Sequence, residues 1–309
     1  MHAGLGTNAW NGDWNVEGMD EFGMALFTLE YMEMFGMADG RNFPYDDVFN
    51  TDNPNNVDIF VNRDPRLYET MVVNRNNLVE QYQGLSSTEM WQGGNVDQTF
   101  NPAVTDNPWS TRMKLFKYLR DNGYAAYYPT NFAYLRMADI HLATLKHSHR
   151  QAICRKPATK MNKVRARVGL GKVEAMNPEL NLTANKDNFI EQLLKERACE
   201  FGYEDSRWYD LIRYKRSDIF KKQVHQLRVW RKDANGNKMN PADYNGNTSL
   251  EPGEPWPNCI YEKIPCTNNI RVWWDTDDQT SKWTDKWYLT PISRDEINKG
   301  YGLNQNPGW

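Results

Sequence analysis

The sequence lacks most features that mark membrane-spanning or nucleic-acid-binding proteins. It contains no apolar run of about 18 residues and its mean hydropathy is −0.82, which excludes a transmembrane helix within the 309 residues. The net charge of −3 gives no reason to expect nucleic acid as a partner. The N-terminus shows no charged segment followed by an apolar one, so no signal peptide is predicted. The protein is therefore either cytoplasmic or missing its beginning.

Cysteine is also scarce. The four cysteines, Cys154, Cys199, Cys259 and Cys266, form no C-x2-C pair and no Cys/His grouping with zinc spacing, which argues against a structural zinc site. Cys259 and Cys266 could close a small loop as a disulfide in an exported protein. Closeness in sequence does not fix the Cβ geometry of a disulfide, however, and we favour free thiols.

Aromatic residues, by contrast, are abundant. The twelve Trp and sixteen Tyr exceed what a core of this size usually takes. Many lie among Asn, Asp, Gly and Pro, where no packing period explains their burial, and two further clusters occur at 272–274 and 283–289. Rings in such surroundings are candidates for stacking on a ligand.

The segment 82–112 is the first place to expect a ligand. It is long, weakly periodic and rich in Gly, Asn, Asp and Pro, and a loop of this length in a compact domain is usually functional or disordered. We therefore place the ligand on the irregular segment 82–130. The preferred aromatic platforms are Trp91 and Trp109, and the second choices are Tyr82, Tyr127 and Tyr128.

The hydrophobic pattern predicts a mainly α-helical, loop-rich domain with a few short strands. A loop-rich part over 1–130 precedes a helical scaffold over 131–220 and an irregular C-terminal part over 221–309. No repeat or linker argues for a second domain. A strand pair is predicted at 69–81, and Asn188 with Glu191 forms a capping box for the best helix. Helices are predicted over 26–37, 132–142, 161–168, 189–201 and 207–214.

Four separated stretches, in order, resemble the SusD/RagB family of outer-membrane nutrient-binding lipoproteins. They are MADG (37–40) with DPRL (64–67), NKVRARVGL (162–170), ERACEFGYEDSRWYDLIR (196–213), and YLTPISRDEIN (288–298) with QNPGW (305–309). Asp205 stands where the family usually has Gly, and Ser293 replaces a Pro. The terminal QNPGW is expected to be a turn that pins the chain end, with Trp309 packed as a plug.

The resemblance implies a SusD-like fold and a binding role. It implies capture of an oligosaccharide or polysaccharide at the bacterial surface and delivery to a SusC-like TonB-dependent transporter. Full-length members are expected to be lipid-anchored in the outer membrane and to carry a lipoprotein signal, an acylated Cys and N-terminal tetratricopeptide-like helix pairs. None of these is in the sequence, which resembles the C-terminal half or more of such a protein.

The acidic residues of the 196–213 block are expected to serve the scaffold. Their helical offsets allow Glu196, Glu200 and Glu204 to pair with neighbouring arginines, including Arg213, around a buried Trp208. Such cations keep a carboxylate ionised, whereas a general acid needs a raised pKa, so we predict that the chain is not an enzyme. The alternatives are a glycoside hydrolase or lyase and a peptide-binding member of the same family.

No cofactor or metal site is predicted. The acidic run at 275–278 lacks the Gly and the bidentate Glu of a calcium loop. His141, His147 and His149 have no carboxylate or Cys ligand at useful spacing.

The segment 144–160, TLKHSHRQAICRKPATK, interrupts the family resemblance. LRMADIHLA (135–143) resembles the family's R-x-A-E-x-x-L, after which Y-A-E-A-L should follow. Back-translation with suitable synonymous codons, read from the last base of Ala143, gives YAEALSSAGNLQKAGDE, which runs directly into MNKVR (161–165). Two bases of each hidden codon are set mainly by the visible residue, so codon choice alone does not easily produce this match. We hypothesise a compensated frameshift, with one nucleotide lost near Ala143 and one gained near Lys160.

The frameshift hypothesis has consequences for charge and structure. The visible segment carries a net charge of +5 and the hidden one −2, so the basic patch should not be interpreted as a binding surface. His147, His149 and Cys154 would have no selected role. The helix through Leu142 and the helix through Val164 should persist, with a poorly packed connection between them.

Resequencing the gene across codons 143–161 tests the hypothesis. We expect the codons of 144–160 to spell the hidden peptide in the shifted frame, because one compensated shift explains both the break in pattern and the excess of cations. Codons that spell any other peptide in that frame would contradict it.

Overall fold

The computed structural model describes 179 of the 309 residues, and all that follows concerns these residues. They are 28–49, 59–71, 73–74, 89–91, 135–150, 158–202, 204, 206–239, 259–265, 273–275 and 277–309.

Helices dominate this part of the chain, with a few short strands, as predicted. The helices are α1 (Leu29–Met34), α2 (Tyr45–Phe49), α3 (Pro65–Thr70), α4 (Met137–Arg150), α5 (Thr159–Arg167), α6 (Val173–Met176), α7 (Lys186–Glu200), α8 (Arg207–Arg213), α9 (Ser217–Phe220) and α10 (Arg294–Asn298). Short 3-10 helices cover Pro178–Leu180 and Asp285–Tyr288. No described helix has the length and apolarity that crossing a membrane requires.

Helix α7 occupies the centre of the scaffold, and nine of its residues are buried. It begins at Lys186, three residues earlier than predicted, because Asn185 is the N-cap. The Asn185 side chain accepts hydrogen bonds from the backbone N–H groups of Asp187 and Asn188 at 3.1 and 3.0 Å. The predicted capping box is therefore wrong, since the Asn188 amide donates to the carbonyl oxygen of Leu180 at 2.8 Å.

Helices α4 and α5 pack together as a hairpin, as expected of the helices through Leu142 and Val164. Leu142 and Leu145 are buried in one cluster with Met161 and Val164. Helix α4 runs over Met137–Arg150, so it begins later than predicted and continues into the segment assigned to the frameshift. The segment 144–160 was expected to be a poorly packed connection, but Leu145 and Ala158 within it are buried in this cluster. Residues 151–157 lie outside the described residues.

Two strands that the sequence analysis missed follow the helical part. Strands β1 (His225–Arg231) and β2 (Cys259–Pro265) pair antiparallel in the irregular C-terminal region, with Val229 opposite Tyr261. Alternate side chains of this hairpin pack into the cluster that buries α1. The strand pair predicted at 69–81 begins instead within α3, and residues 72 and 75–81 lie outside the described residues. Short strands β3 (Trp274–Asp275) and β4 (Thr280–Ser281) form a second hairpin.

Restoring the hidden peptide should stabilise the α4–α5 hairpin. Burial and the charges of Lys160 and Lys163 lower the pKa of His141, so two cations of α5 face α4 across this hairpin. The hidden peptide places Glu at position 160. A variant carrying YAEALSSAGNLQKAGDE at 144–160, but with the buried Leu145 kept in place, should therefore melt about 2–4 °C higher than the parent by calorimetry.

The matched control is a scrambled segment of the same composition at 144–160. It changes the charge equally but destroys the helical pattern, so it should melt at or below the parent temperature. If the restored and scrambled variants melt at the same temperature, the order of the residues in the hidden peptide does not affect stability.

Candidate ligand-binding groove

The five aromatic residues predicted as ligand platforms are only partly covered by the described structure. Trp91 is fully buried within the cluster that contains α1, and the Arg231 guanidinium lies 5.8 Å from its ring centroid. Its ring is therefore enclosed by protein, whereas a stacking platform needs an open face. Tyr82, Trp109, Tyr127 and Tyr128 lie outside the described residues, and their role stays a prediction.

A buried ion network links α3, α5 and α7. Arg66 Nη1 donates to Glu196 Oε1 at 2.7 Å and to Glu200 Oε2 at 3.1 Å, while its Nη2 donates to Asp64 Oδ2 at 2.7 Å. Arg165 Nη1 reaches the second oxygen of Glu196 at 3.0 Å. All five residues are at most 6% exposed. The carboxylates are thus held by cations from distant parts of the chain.

Glu200 has two further cationic partners, Arg136 and Arg167. Arg136 donates to a Glu200 carboxylate oxygen and, at 2.8 Å, to Glu204, and Arg167 Nη2 lies 3.0 Å from both Glu200 oxygens. Burial alone would raise the pKa of Glu200, but the bond and charge of Arg136, with the charges of Arg66 and Arg167, lower it. The prediction of an ionised scaffold carboxylate is confirmed for Glu200.

The predicted partners of this block are only partly correct. Arg197 does pair within the block, with Asp210 at 2.5 Å, but the main partners of Glu196 and Glu200 come from other elements. Arg213 is exposed, and Trp208 is half-buried in a different cluster. Helical offsets show which residues share a face of one helix and do not show which side chains arrive from elsewhere.

Cys199 and Cys259 are both buried. The Cys199 thiol donates to the carbonyl oxygen of Met34 at 3.1 Å, and burial raises its pKa to about 12, so it is a neutral thiol. Cys259 Sγ accepts a hydrogen bond from Asn74 at 3.6 Å. Cys266 lies outside the described residues, so its state relative to Cys259 stays a prediction.

A tryptophan cluster lies at the C-terminal end of the described structure. It consists of Leu211, Phe220 and Trp283, which are buried, and of Trp208, Ile212, Ile219, Trp273, Trp287 and Tyr288, which are partly buried. Trp283 stacks on Phe220 with ring centroids 4.1 Å apart, and Trp273 stacks on Trp208 at 5.6 Å. Contacts on several sides fix these rings in place.

A groove of about 560 Å³ opens beside the tryptophan cluster. It is lined by Trp273, Lys282, Thr284, Lys286 and Trp287, and Pro307 and Gly308 of the chain end close one side. The volume lies in the range of small-molecule sites, about 300–1,000 Å³. The sequence showed aromatic clusters at 272–274 and 283–289 but gave no reason to join them to the chain end in one site.

The chain end is pinned by hydrogen bonds, as predicted. The Gln305 side-chain oxygen accepts a hydrogen bond from the backbone N–H of Ile292 at 2.8 Å, and the Gln305 side-chain NH2 group donates to the Ile292 carbonyl oxygen, also at 2.8 Å. The Trp309 indole N–H donates to the carbonyl oxygens of Lys286 and Leu289 at 2.9 and 3.0 Å. Trp309 packs edge-on against Trp287 but remains 36% exposed, so it is less of a plug than predicted.

The described part of the chain thus combines a mainly helical scaffold, buried ion pairs and an aromatic groove at its edge. The family model described as the SusD family matches residues 3–309. The chain therefore belongs to the SusD family, as the sequence motifs indicated.

Two solved structures share the fold. A SusD-like protein from Bacteroides fragilis NCTC 9343 is 22% identical with a TM-score of 0.60, covering 91% of this chain and 46% of that one. BT4246 is 17% identical with a TM-score of 0.57, covering 91% of this chain and 44% of that one. The chain thus spans less than half the length of either. No curated protein sequence matches it.

Replacing Glu200 by Gln should strongly destabilise the protein. Glu200 is 3% exposed and the change leaves Arg66 and Arg136 partly uncompensated, so we expect a loss of about 3 kcal/mol or more in urea unfolding. Because the folded pKa of Glu200 is depressed, its contribution is present above pH 4.5, its usual value, and is lost as the pH falls. The variant should therefore also lose less stability than the parent on acidification.

Glu191→Gln is the matched control on the same helix. The Glu191 side chain is 56% exposed and pairs with Arg216, and an exposed pair contributes about 0–1 kcal/mol. If the two variants unfold at the same urea concentration, the buried network is not a principal source of stability.

Proposed function

We propose that this chain is the ligand-contacting part of a cell-surface protein that captures oligosaccharides for uptake. The observation that carries the proposal is membership of the SusD family over residues 3–309. In the whole protein, the captured glycan passes to a SusC-like TonB-dependent transporter. The same proposal places the protein at the outer membrane with a lipid anchor.

The shape and chemistry of the groove support a glycan ligand. A sugar ring presents a weakly apolar C–H face and a rim of hydroxyls, which fits indole faces flanked by hydrogen-bonding groups. Trp273 and Trp287 supply indoles, while Thr284 and Lys286 supply a hydroxyl and an ammonium group. The segment 82–130, with Trp109 as its first platform, is proposed as a further contact region.

The described carboxylates do not favour a glycoside hydrolase or lyase. Glycoside hydrolysis generally requires one carboxyl group with a raised pKa that can protonate the leaving group. Glu200 has the opposite shift and is surrounded by arginines, so it is ill suited to that task. A peptide ligand remains the alternative within the same family, and it would use the same aromatic surfaces.

Binding without turnover is the expected behaviour. On a panel of immobilised polysaccharides, the full chain should retain at least one, and the soluble oligosaccharide should release no new reducing ends over hours. Trp109→Ala should weaken retention by about 1–3 kcal/mol if its ring stacks on the sugar.

Three results would contradict these assignments. Sustained turnover that one carboxylate substitution abolishes would contradict a pure binding role. Retention of peptides but of no glycan would favour the peptide-binding alternative. Undiminished binding by a folded Trp109→Ala variant would remove that residue from the site.

A further inference from the structure

Some polar groups of the groove already make hydrogen bonds within the protein, and others do not. The Trp273 indole N–H donates to the carbonyl oxygen of Phe220 at 3.2 Å, and that of Trp309 donates to the carbonyl oxygens of Lys286 and Leu289. Within the described residues, by contrast, neither the Trp287 indole N–H nor the Thr284 hydroxyl has a hydrogen-bond partner. These two hydrogen-bond donors of the lining are thus available to a ligand, and they lie beside rings that are fixed in position.

The two lysines that line the groove have different partners. Lys282 forms an ion pair with Asp275, whose carboxylate also accepts the backbone N–H groups of Asp277 and Asp278 at 2.9 and 3.2 Å. Lys286 lies over indole faces, with its Nζ 5.3 Å from the Trp287 centroid and 4.7 Å from that of Trp309. At Lys282, an incoming anion would therefore meet a cation that is already paired with Asp275 and that lies near two more acidic side chains, Asp277 and Asp278.

We infer that the groove binds a neutral sugar ring of the captured glycan, stacked against Trp287 and hydrogen-bonded to Thr284. This inference rests on the proposed function and adds to it a place and a ligand class. The Lys286 ammonium group holds its position over the two indoles and donates to a ring hydroxyl at the rim. Acidic sugars such as uronates are disfavoured by the aspartates around Lys282.

The chain end is part of this site because it shapes one wall. Gly308 has φ +85°, and a Cβ added there would lie 3.0 Å from Lys286 Cβ. Glycine therefore lets the tail approach Lys286 closely enough to place Trp309 beside Trp287, with ring centroids 4.8 Å apart. The stacking surface is preorganised, so a sugar need not order it on binding.

The test compares Trp287→Ala with Trp230→Ala in the full chain. Trp230 is the matched control because it is also half-buried, lies under a lysine ammonium at 5.5 Å, and belongs to the β1–β2 hairpin. The probes are the hexasaccharides of glucose, xylose, mannose and galacturonate, with affinity measured by calorimetry. Trp287→Ala should bind the retained neutral probe about 5- to 150-fold more weakly, and Trp230→Ala should bind like the parent.

Thr284→Val provides a second arm that does not disturb the tryptophan cluster. The exposed Thr284 side chain makes no cap hydrogen bond, so the variant should melt with the parent and bind the neutral probe several-fold more weakly. This arm decides the question if Trp287→Ala fails to fold.

The outcomes separate the groove from the function as a whole. If the parent retains no probe, the proposed function is contradicted for these glycans and the inference fails with it. If the parent retains a neutral probe and folded Trp287→Ala or Thr284→Val retains it equally, only the groove assignment is overturned. If galacturonate binds tighter than every neutral probe, the ligand class is wrong.

Discussion

The buried contact between Arg66 and the two carboxylates of α7 is the constraint on which the rest of the structure depends. Arg66, Glu196 and Glu200 are each at most 6% exposed, and a charge removed from water is tolerable only with every partner in place. Asp64 accepts a hydrogen bond from the other guanidinium nitrogen of Arg66. Arg165 donates both to Glu196 and, from Nη2 at 2.7 Å, to the carbonyl oxygen of Gly40. Three motifs that are far apart in sequence therefore meet in one network. Their charges are required jointly, and loss of any one would leave the others uncompensated.

The same network is closed to a ligand. Its carboxylates are paired with arginines and enclosed by the scaffold, so a ligand has no access to them. The tryptophan cluster has the opposite properties. Its inner rings, Phe220 and Trp283, are buried, whereas Trp287 at its edge faces the groove with its indole N–H not bound to a described residue. Arginine–carboxylate pairs thus hold the scaffold in one region, and indoles form an open surface in the other.

Sequence reasoning succeeded where the determinants were local or carried by motifs. The helical class, the family, the ionised Glu200 and the pinned chain end all follow from patterns within short stretches. Sequence reasoning failed where a residue's contacts come from another part of the chain. Asn188 satisfies a capping pattern, yet Asn185 lies one turn earlier and caps the helix, and the polar neighbours of Trp91 gave no sign of the core that covers it. The groove is lined by residues of 273–287 together with Pro307 and Gly308, and only the tertiary fold brings these two parts of the chain together.

The way the chain end is held has a consequence for the groove. The end is fixed by the Gln305 and Trp309 side chains bonding to backbone groups of Ile292, Lys286 and Leu289. The Gln305 bonds are partly buried, whereas the Trp309 bonds are exposed. Together they place Trp309 beside Trp287, with ring centroids 4.8 Å apart, and bring Pro307 and Gly308 into the groove lining. Because this wall is made by bonds within the protein, the groove is formed before any ligand arrives. The shape of the groove therefore depends on the C-terminal turn as well as on the tryptophan cluster.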